Sequence, residues 1–179
     1  MKHKSLLFAL GALALASLLL LGLSLGLAPL AQRNAQAEQL AMMAQLLPGS
    51  GQLTSEPYSG NDGSITAVWK GEGGFVVETV TQGYVGDITL LVGVSTGGQV
   101  TGLVVRELEE TYGLGQKALT DQDFLGQFPG KSGEALMWEN IDALTGATVT
   151  SKAITRGINA AVAFVTGAEV SSGATEWGG

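Results

Sequence analysis

The 179-residue sequence contains no cysteine and a single histidine, His3. Without cysteine the chain forms no disulfide, no thiolate zinc site, no cysteine-held iron–sulfur cluster and no c-type haem attachment. With one imidazole it has no Ser-His-Asp or Cys-His machinery and no multi-histidine metal site. Charge is sparse too, at 14% of residues, and it is unevenly placed. Residues 1–33 hold Lys2, Lys4 and Arg33 and no acid, so the remainder carries six basic against sixteen acidic residues, a balance of −10. Such a surface repels nucleic acid and anionic lipid headgroups, which excludes nucleic acid as a partner. Neither catalytic residues nor metal ligands are expected.

What the sequence does have begins with an uncharged, mostly apolar run from Ser5 to Leu30. A helix needs roughly 20 residues to cross a hydrocarbon core, whereas a secretory apolar region is usually about 7–15. An uncleaved transmembrane helix over 5–30, behind a cytoplasmic tail of residues 1–4, is therefore expected. The alternative is cleavage after Ala37, where Ala35-Gln36-Ala37 has the spacing of a processing site. Lys2 and Lys4 hold the short tail in the cytoplasm, with Arg33 opposing weakly. The acidic part then lies on the periplasmic or extracellular side of the cytoplasmic (inner) membrane.

Residues 31–63 read as a helical stalk and loop. Leu40, Met43 and Leu47 recur at helical spacing until Pro48-Gly49 stop them, and paired Met42 and Met43 read as packing. Residues 49–63 are rich in Gly, Ser, Pro, Asn and Asp, as loops are. Four runs rich in β-branched residues follow, 64–70, 74–82, 87–95 and 99–108, with a hairpin turn at Ser95–Gln99. They predict an antiparallel meander. A short helix is expected from Thr120 or Asp121 to before Pro129, and a further strand over Glu134–Asp142. Ile154, Ile158, Ala161 or Val162, and Val165 place one apolar face on a helix over 151–167, ended by Gly167. Residues 168–179 read as a flexible tail. The fold class is α+β: a single N-terminal transmembrane helix, then a small domain over 64–167 with an antiparallel sheet and flanking helices.

The densest chemistry lies in Asp142–Lys152. Thr148 carries a hydroxyl beside the small Gly146 and Ala147, just ahead of a helix with Thr150 or Ser151 as N-cap. A helix N-terminus presents free N–H donors and a positive dipole end, so it favours a phosphate, and Lys152 adds a neutralising charge. Asp142, Thr145, Gly146, Ala147 and Thr148 together form D-x-x-T-G-A-T. This pattern resembles the attachment motif of the covalent FMN-binding domain in the G subunit of Rnf ion-translocating electron-transport complexes. The C subunit of the sodium-pumping quinone reductase shares it. The resemblance implies FMN joined by a phosphoester to Thr148, installed by a flavin transferase that reads Asp142, Thr145, Gly146, Ala147 and Thr148. With the helix start that follows it, Thr145, Gly146, Ala147, Thr150, Ser151 and Lys152 are expected to surround the cofactor.

A second stretch, Glu109–Lys117, is similar to the same family's E-T-P-G-L-G segment. Glu110, Thr111, Gly113, Leu114 and Gly115 match, and Tyr112 replaces the proline. These residues are expected to bind the flavin, the glycines admitting a flat ring and Leu114 covering one face. The two motifs stand in family order behind the apolar helix, and the similarity covers nearly the whole chain. An echo, Glu169, Ser172, Gly173, Ala174 and Thr175, has no helix expected after it, so Thr148 is the expected acceptor. Glu107, Glu109 and Glu110 read as a solvated acidic loop rather than a cation or acid–base site. Trp138 reads as core rather than a flavin contact.

The resemblance implies a membrane-anchored electron carrier, not a complete enzyme. Its partners would be the other integral-membrane and redox subunits of a complex that couples ferredoxin/NAD electron transfer to ion translocation. An NqrC-type quinone reductase subunit, a stand-alone flavin carrier, and an anchored binding module without redox function are the alternatives.

Overall fold

The computed structural model describes residues 2–168. The expected tail beyond Ala168, with the echo at Thr175, lies outside the described residues. The chain divides into two compact units, Met1–Ala41 and Met42–Gly179. The first is the body of a helix, α1, which runs from Lys2 to Leu46 through Pro29. The expected span 5–30 is thus helical throughout. Side chains in that stretch are described only in part, and among the described residues no helix is long and apolar enough to cross a membrane.

The second unit is built on a five-stranded antiparallel sheet of order β1-β2-β3-β4-β5. The strands are β1 (Thr54–Glu56), β2 (Ile65–Gly71), β3 (Gly74–Gln82), β4 (Asp87–Ser95) and β5 (Val100–Leu108). The last four are the expected meander. Their β-branched and aliphatic side chains suit a pleated surface buried on at least one face. β4 is buried along almost its whole length, because both faces of the sheet are covered there. Ile88, Leu90, Val92 and Val94 belong to the main core with Ile154, Ile158 and Val162. Leu91 belongs to a smaller cluster with Met43, Leu46, Leu47, Leu53 and Val76. Gly93 makes this second cluster possible: a Cβ there would collide with the backbone carbonyl of Leu46. β1 was not expected. It forms inside the predicted loop because Thr54–Glu56 pair with Val68–Lys70.

After β5 come a 3₁₀ turn (Gly115–Leu119), a short helix α2 (Gln122–Leu125) and the long α3 (Thr148–Thr166). α2 starts as expected, with Asp121 as N-cap accepting the Phe124 N–H at 2.9 Å. Glu134–Asp142 does not form the expected strand. Asn140 folds this segment on itself, accepting the Leu136 N–H at 2.8 Å and donating to Glu134 O at 3.2 Å. Only an isolated bridge, Met137 to Ile141, remains. Trp138 has φ 64° and is 61% exposed, so it is not core.

α3 packs across β2, β3 and β4. Gly157 sets the closeness of that contact: a Cβ would lie 2.7 Å from Thr79 Oγ1 and 2.8 Å from Leu90 Cδ1. Burying Ile154 and Ile158 completely stabilises the layer by about 1.5–3 kcal/mol each. Thr81 Oγ1 donates to Ala153 O at 2.9 Å, which ties the first turns of α3 to the end of β3.

Candidate functional site

The register brings three segments to one end of the sheet. Gln82 pairs with Asp87 and Ile88 with Leu108, so the β3–β4 turn and the exit from β5 are neighbours. The start of α3 joins them through the Thr81–Ala153 bond. Between these segments lies a cavity of about 580 Å³. Tyr84 lines it from the turn, Glu110, Thr111, Leu114 and Gly115 from the segment after β5, and Gly146 to Thr150 from the start of α3. Residues from both sequence motifs therefore meet in one place. Their contact is direct, since a Cβ on Gly146 would lie 3.1 Å from Leu114 Cδ2.

α3 begins at Thr148, earlier than the expected cap at Thr150 or Ser151. Its N-cap is Ala147, with φ −134° and ψ 44°, and no side chain caps the helix. The first N–H to bond back is that of Ser151, to Ala147 O at 2.9 Å. The N–H groups of Thr148, Val149 and Thr150 precede that bond, so they have no partner within the helix. All three residues line the cavity. Ser151, wholly buried, does other work: its Oγ donates to Ala147 O and accepts the Leu144 N–H, both at 2.9 Å. It clamps the loop that presents Thr148 and is not among the cavity walls. Gly146, with φ 77°, supplies the left-handed turn just before the cap.

Thr148 is half-buried, whereas Thr150 is buried, its Oγ1 placed 2.8 Å from where a Cβ on Gly115 would be. Asp142 and Thr145 are exposed and lie outside the walls. Gln127 brackets the Asp142 backbone, accepting its N–H at 2.8 Å and donating to its carbonyl at 3.1 Å. Lys152 is buried and also outside the walls, with Nζ 4.8 Å from the centroid of the Trp138 ring. Gly113 has φ 77° and turns the exposed loop without lining the cavity. Tyr112, in the place of the family proline, is 89% exposed.

The acidic loop divides. Glu107 and Glu109 are exposed as expected, but Glu110 is buried and forms part of the wall. Its Oε1 accepts the Tyr84 N–H at 2.6 Å. The carboxylate occupies the space that a side chain on Gly83 would need. A neighbouring depression of about 530 Å³ is lined in part by Asp87, Glu107 and Glu109. Among the described residues no group of three or more acidic or histidine side chains is placed to hold a metal ion. Sequence reasoning missed Tyr84. The signal was an aromatic residue enclosed by Gly83 and Gly86 in a strand connection.

The main cavity falls within the roughly 300–1,000 Å³ of small-molecule sites. Its mixture of Tyr84, Leu114, Ala147 and Val149 with one uncapped helix N-terminus suits a ligand with an apolar body and one anionic group.

Comparison with known proteins agrees with this geometry. A family described as the FMN-binding domain matches residues 83–163. The G subunit of the proton-translocating ferredoxin:NAD(+) oxidoreductase complex of Clostridium ljungdahlii is 43% identical over 51% of this chain and 53% of its own. The G subunit of the Na(+)-translocating ferredoxin:NAD(+) oxidoreductase complex of Acetobacterium woodii is 37% identical over 50% of this chain and 47% of its own. The G subunit of an ion-translocating oxidoreductase complex of Methanosarcina acetivorans is 32% identical over 77% of each chain. The chain spans about half the length of the first two of these relatives.

Proposed function

The chain belongs to the family of G subunits of ion-translocating oxidoreductase complexes and carries an FMN-binding domain, and from this premise we propose that it relays electrons through FMN held covalently on Thr148. The observation that carries the reading is the uncapped start of α3, which opens into the cavity with Thr148 as its first residue. In this reading the Thr148 hydroxyl supplies the ester oxygen. The N–H groups of Thr148, Val149 and Thr150, together with the helix dipole, hold the remaining phosphate oxygens. Gly146 and Ala147 leave the room that this approach requires. Leu114, Gly115, Thr111 and Glu110 form the wall for the rest of the cofactor. FMN, when bound, supplies the electron-transfer chemistry that no side chain of this protein offers.

Asp142 and Thr145 are exposed beside the acceptor, where a flavin transferase can read them. Attachment through the phosphate keeps the cofactor from being lost outside the cytoplasm. We place the domain on the periplasmic or extracellular side of the cytoplasmic membrane, with α1 crossing at 5–30 and Lys2 and Lys4 on the inside. The partners are the other integral-membrane and redox subunits of an Rnf-type complex, which couples ferredoxin/NAD electron transfer to ion translocation. The relatives above are G subunits, which favours this assembly over a quinone-reductase C-type subunit.

The test is the intact mass of the full chain co-expressed with a flavin transferase, followed by peptide mapping. A gain of one FMN less one water, on Thr148, is the expected result. An unmodified chain beside a demonstrably active transferase overturns it.

A further inference from the structure

We propose that Glu110 is a positioning residue that latches the β3–β4 turn, and that the turn thereby sets the Tyr84 ring as an aromatic wall against the flavin ring system. This rests on the reading of the cavity as a flavin site. The turn is closed by its own bond, Gly83 N–H to Gly86 O at 2.9 Å. It is then docked on the segment after β5 at two points. A Cβ on Gly86 would lie 2.8 Å from Glu109 Cβ, and one on Gly83 would overlap Glu110 Oε1. Both glycines that enclose Tyr84 and Val85 are thus needed for close approach.

At the centre of this contact Glu110 Oε1 accepts the Tyr84 N–H at 2.6 Å. A buried carboxylate is costly unless it is bonded, and a bond to a charged acceptor is about twice as strong as a neutral one. Glu110 is therefore held, and it holds the tyrosine backbone in turn. Its other oxygen, Oε2, faces Gly115, 2.9 Å from where a Cβ would stand, with Thr150 Oγ1 at 2.8 Å from the same point. One carboxylate thus adjoins the turn, the glycine loop and the first turn of α3. Tyr84 lines the cavity and is 71% exposed, so its side chain is not packed into the core and is free to meet a ligand there. An aromatic ring and a flat heteroaromatic ligand favour offset stacking.

The test uses the full chain co-expressed with a flavin transferase and its Tyr84→Ala, Glu110→Ala and Glu110→Gln variants. Intact mass reports attachment separately from everything else. A stacked tyrosine quenches flavin emission, so Tyr84→Ala raises the fluorescence per attached flavin several-fold. Glu110→Ala has the same effect. Glu110→Gln stays near wild type, because the Gln carbonyl accepts the same N–H. In the unloaded chain, amide exchange at Tyr84 accelerates about tenfold or more in Glu110→Ala, as expected for losing a bond to a charged group, and changes far less in Glu110→Gln. Attached flavin with unchanged emission in Tyr84→Ala overturns the aromatic wall. Unchanged Tyr84 exchange in Glu110→Ala overturns the latch. Should Glu110→Ala not fold, Glu110→Asp takes its place, because the shorter side chain draws the acceptor away from the Tyr84 N–H, and unchanged Tyr84 exchange there overturns the latch. A wild-type chain that gains no mass overturns the flavin reading itself.

Discussion

The two ends of α3 are finished in opposite ways. At the C-terminus Gly167 adopts the left-handed conformation, with φ 68°, and its N–H returns to Ala163 O at 2.8 Å. Thr166 Oγ1 closes a further carbonyl, that of Val162, at 2.9 Å. At the N-terminus four hydroxyl residues stand close by, Thr145, Thr148, Thr150 and Ser151, yet none caps the helix. The cap position holds Ala147, a poor N-cap residue. This helix end is left open beside a cavity although capping side chains were at hand, and it is the end we propose for the ligand. At the closed end the chain meets the last carbonyls with its own donors.

Changes at the two ends should therefore separate attachment from stability. The largest effect is expected from Thr148→Ala. It removes the proposed ester oxygen, so flavin attachment falls to nothing in an intact-mass measurement. Folding changes little, because the Thr148 side chain is only half-buried. Loss of attachment together with a collapsed melting transition would instead make Thr148 a structural residue.

Ser151→Ala comes next. It strips two hydrogen bonds from the loop that presents Thr148 and leaves the buried Leu144 N–H without its partner. The expected cost is about 1–3 kcal/mol in denaturant unfolding. Attachment to the loosened loop should slow rather than vanish. Gly167→Ala, at the other end, forces a Cβ into the left-handed region at a cost of about 1–2 kcal/mol. Flavin loading should match wild type. A loading defect in Gly167→Ala would erase the distinction between the two ends.

The parts of this arrangement that were legible in the sequence are those governed by local pattern. The four strands of the meander show in their β-branched runs, and Gly167 marks the helix end where it stands. The parts that were not legible depend on distant partners. Thr54–Glu56 has no apolar signature and becomes a strand through pairing with β2. Ala135-Leu136-Met137-Trp138 looks like a strand, but the Asn140 side chain competes for the backbone and wins. The burial of Glu110 could not be read from its acidic neighbourhood. It depends on a glycine at position 83, in another strand connection. The start of α3 was placed too late for a similar reason. Ser151 looks like a cap, but its hydroxyl is occupied inside the first turn.

Ala147→Ser is the smallest change and the most discriminating. Ala147 is 6% exposed and already has a non-helical backbone, with φ −134°. A serine Oγ there can accept from the N–H of Val149 or Thr150, as N-cap residues do. In the unloaded chain this should add about 1 kcal/mol of stability. If the open N–H groups hold the flavin phosphate, the new hydroxyl competes with it for the same donors. The stability gain should then shrink or reverse once flavin is attached, and attachment should slow. The comparison needs two melting curves per variant, one unloaded and one loaded. An equal gain in both states would mean that the phosphate does not use these donors. The open end of α3 would then need another explanation than the ligand.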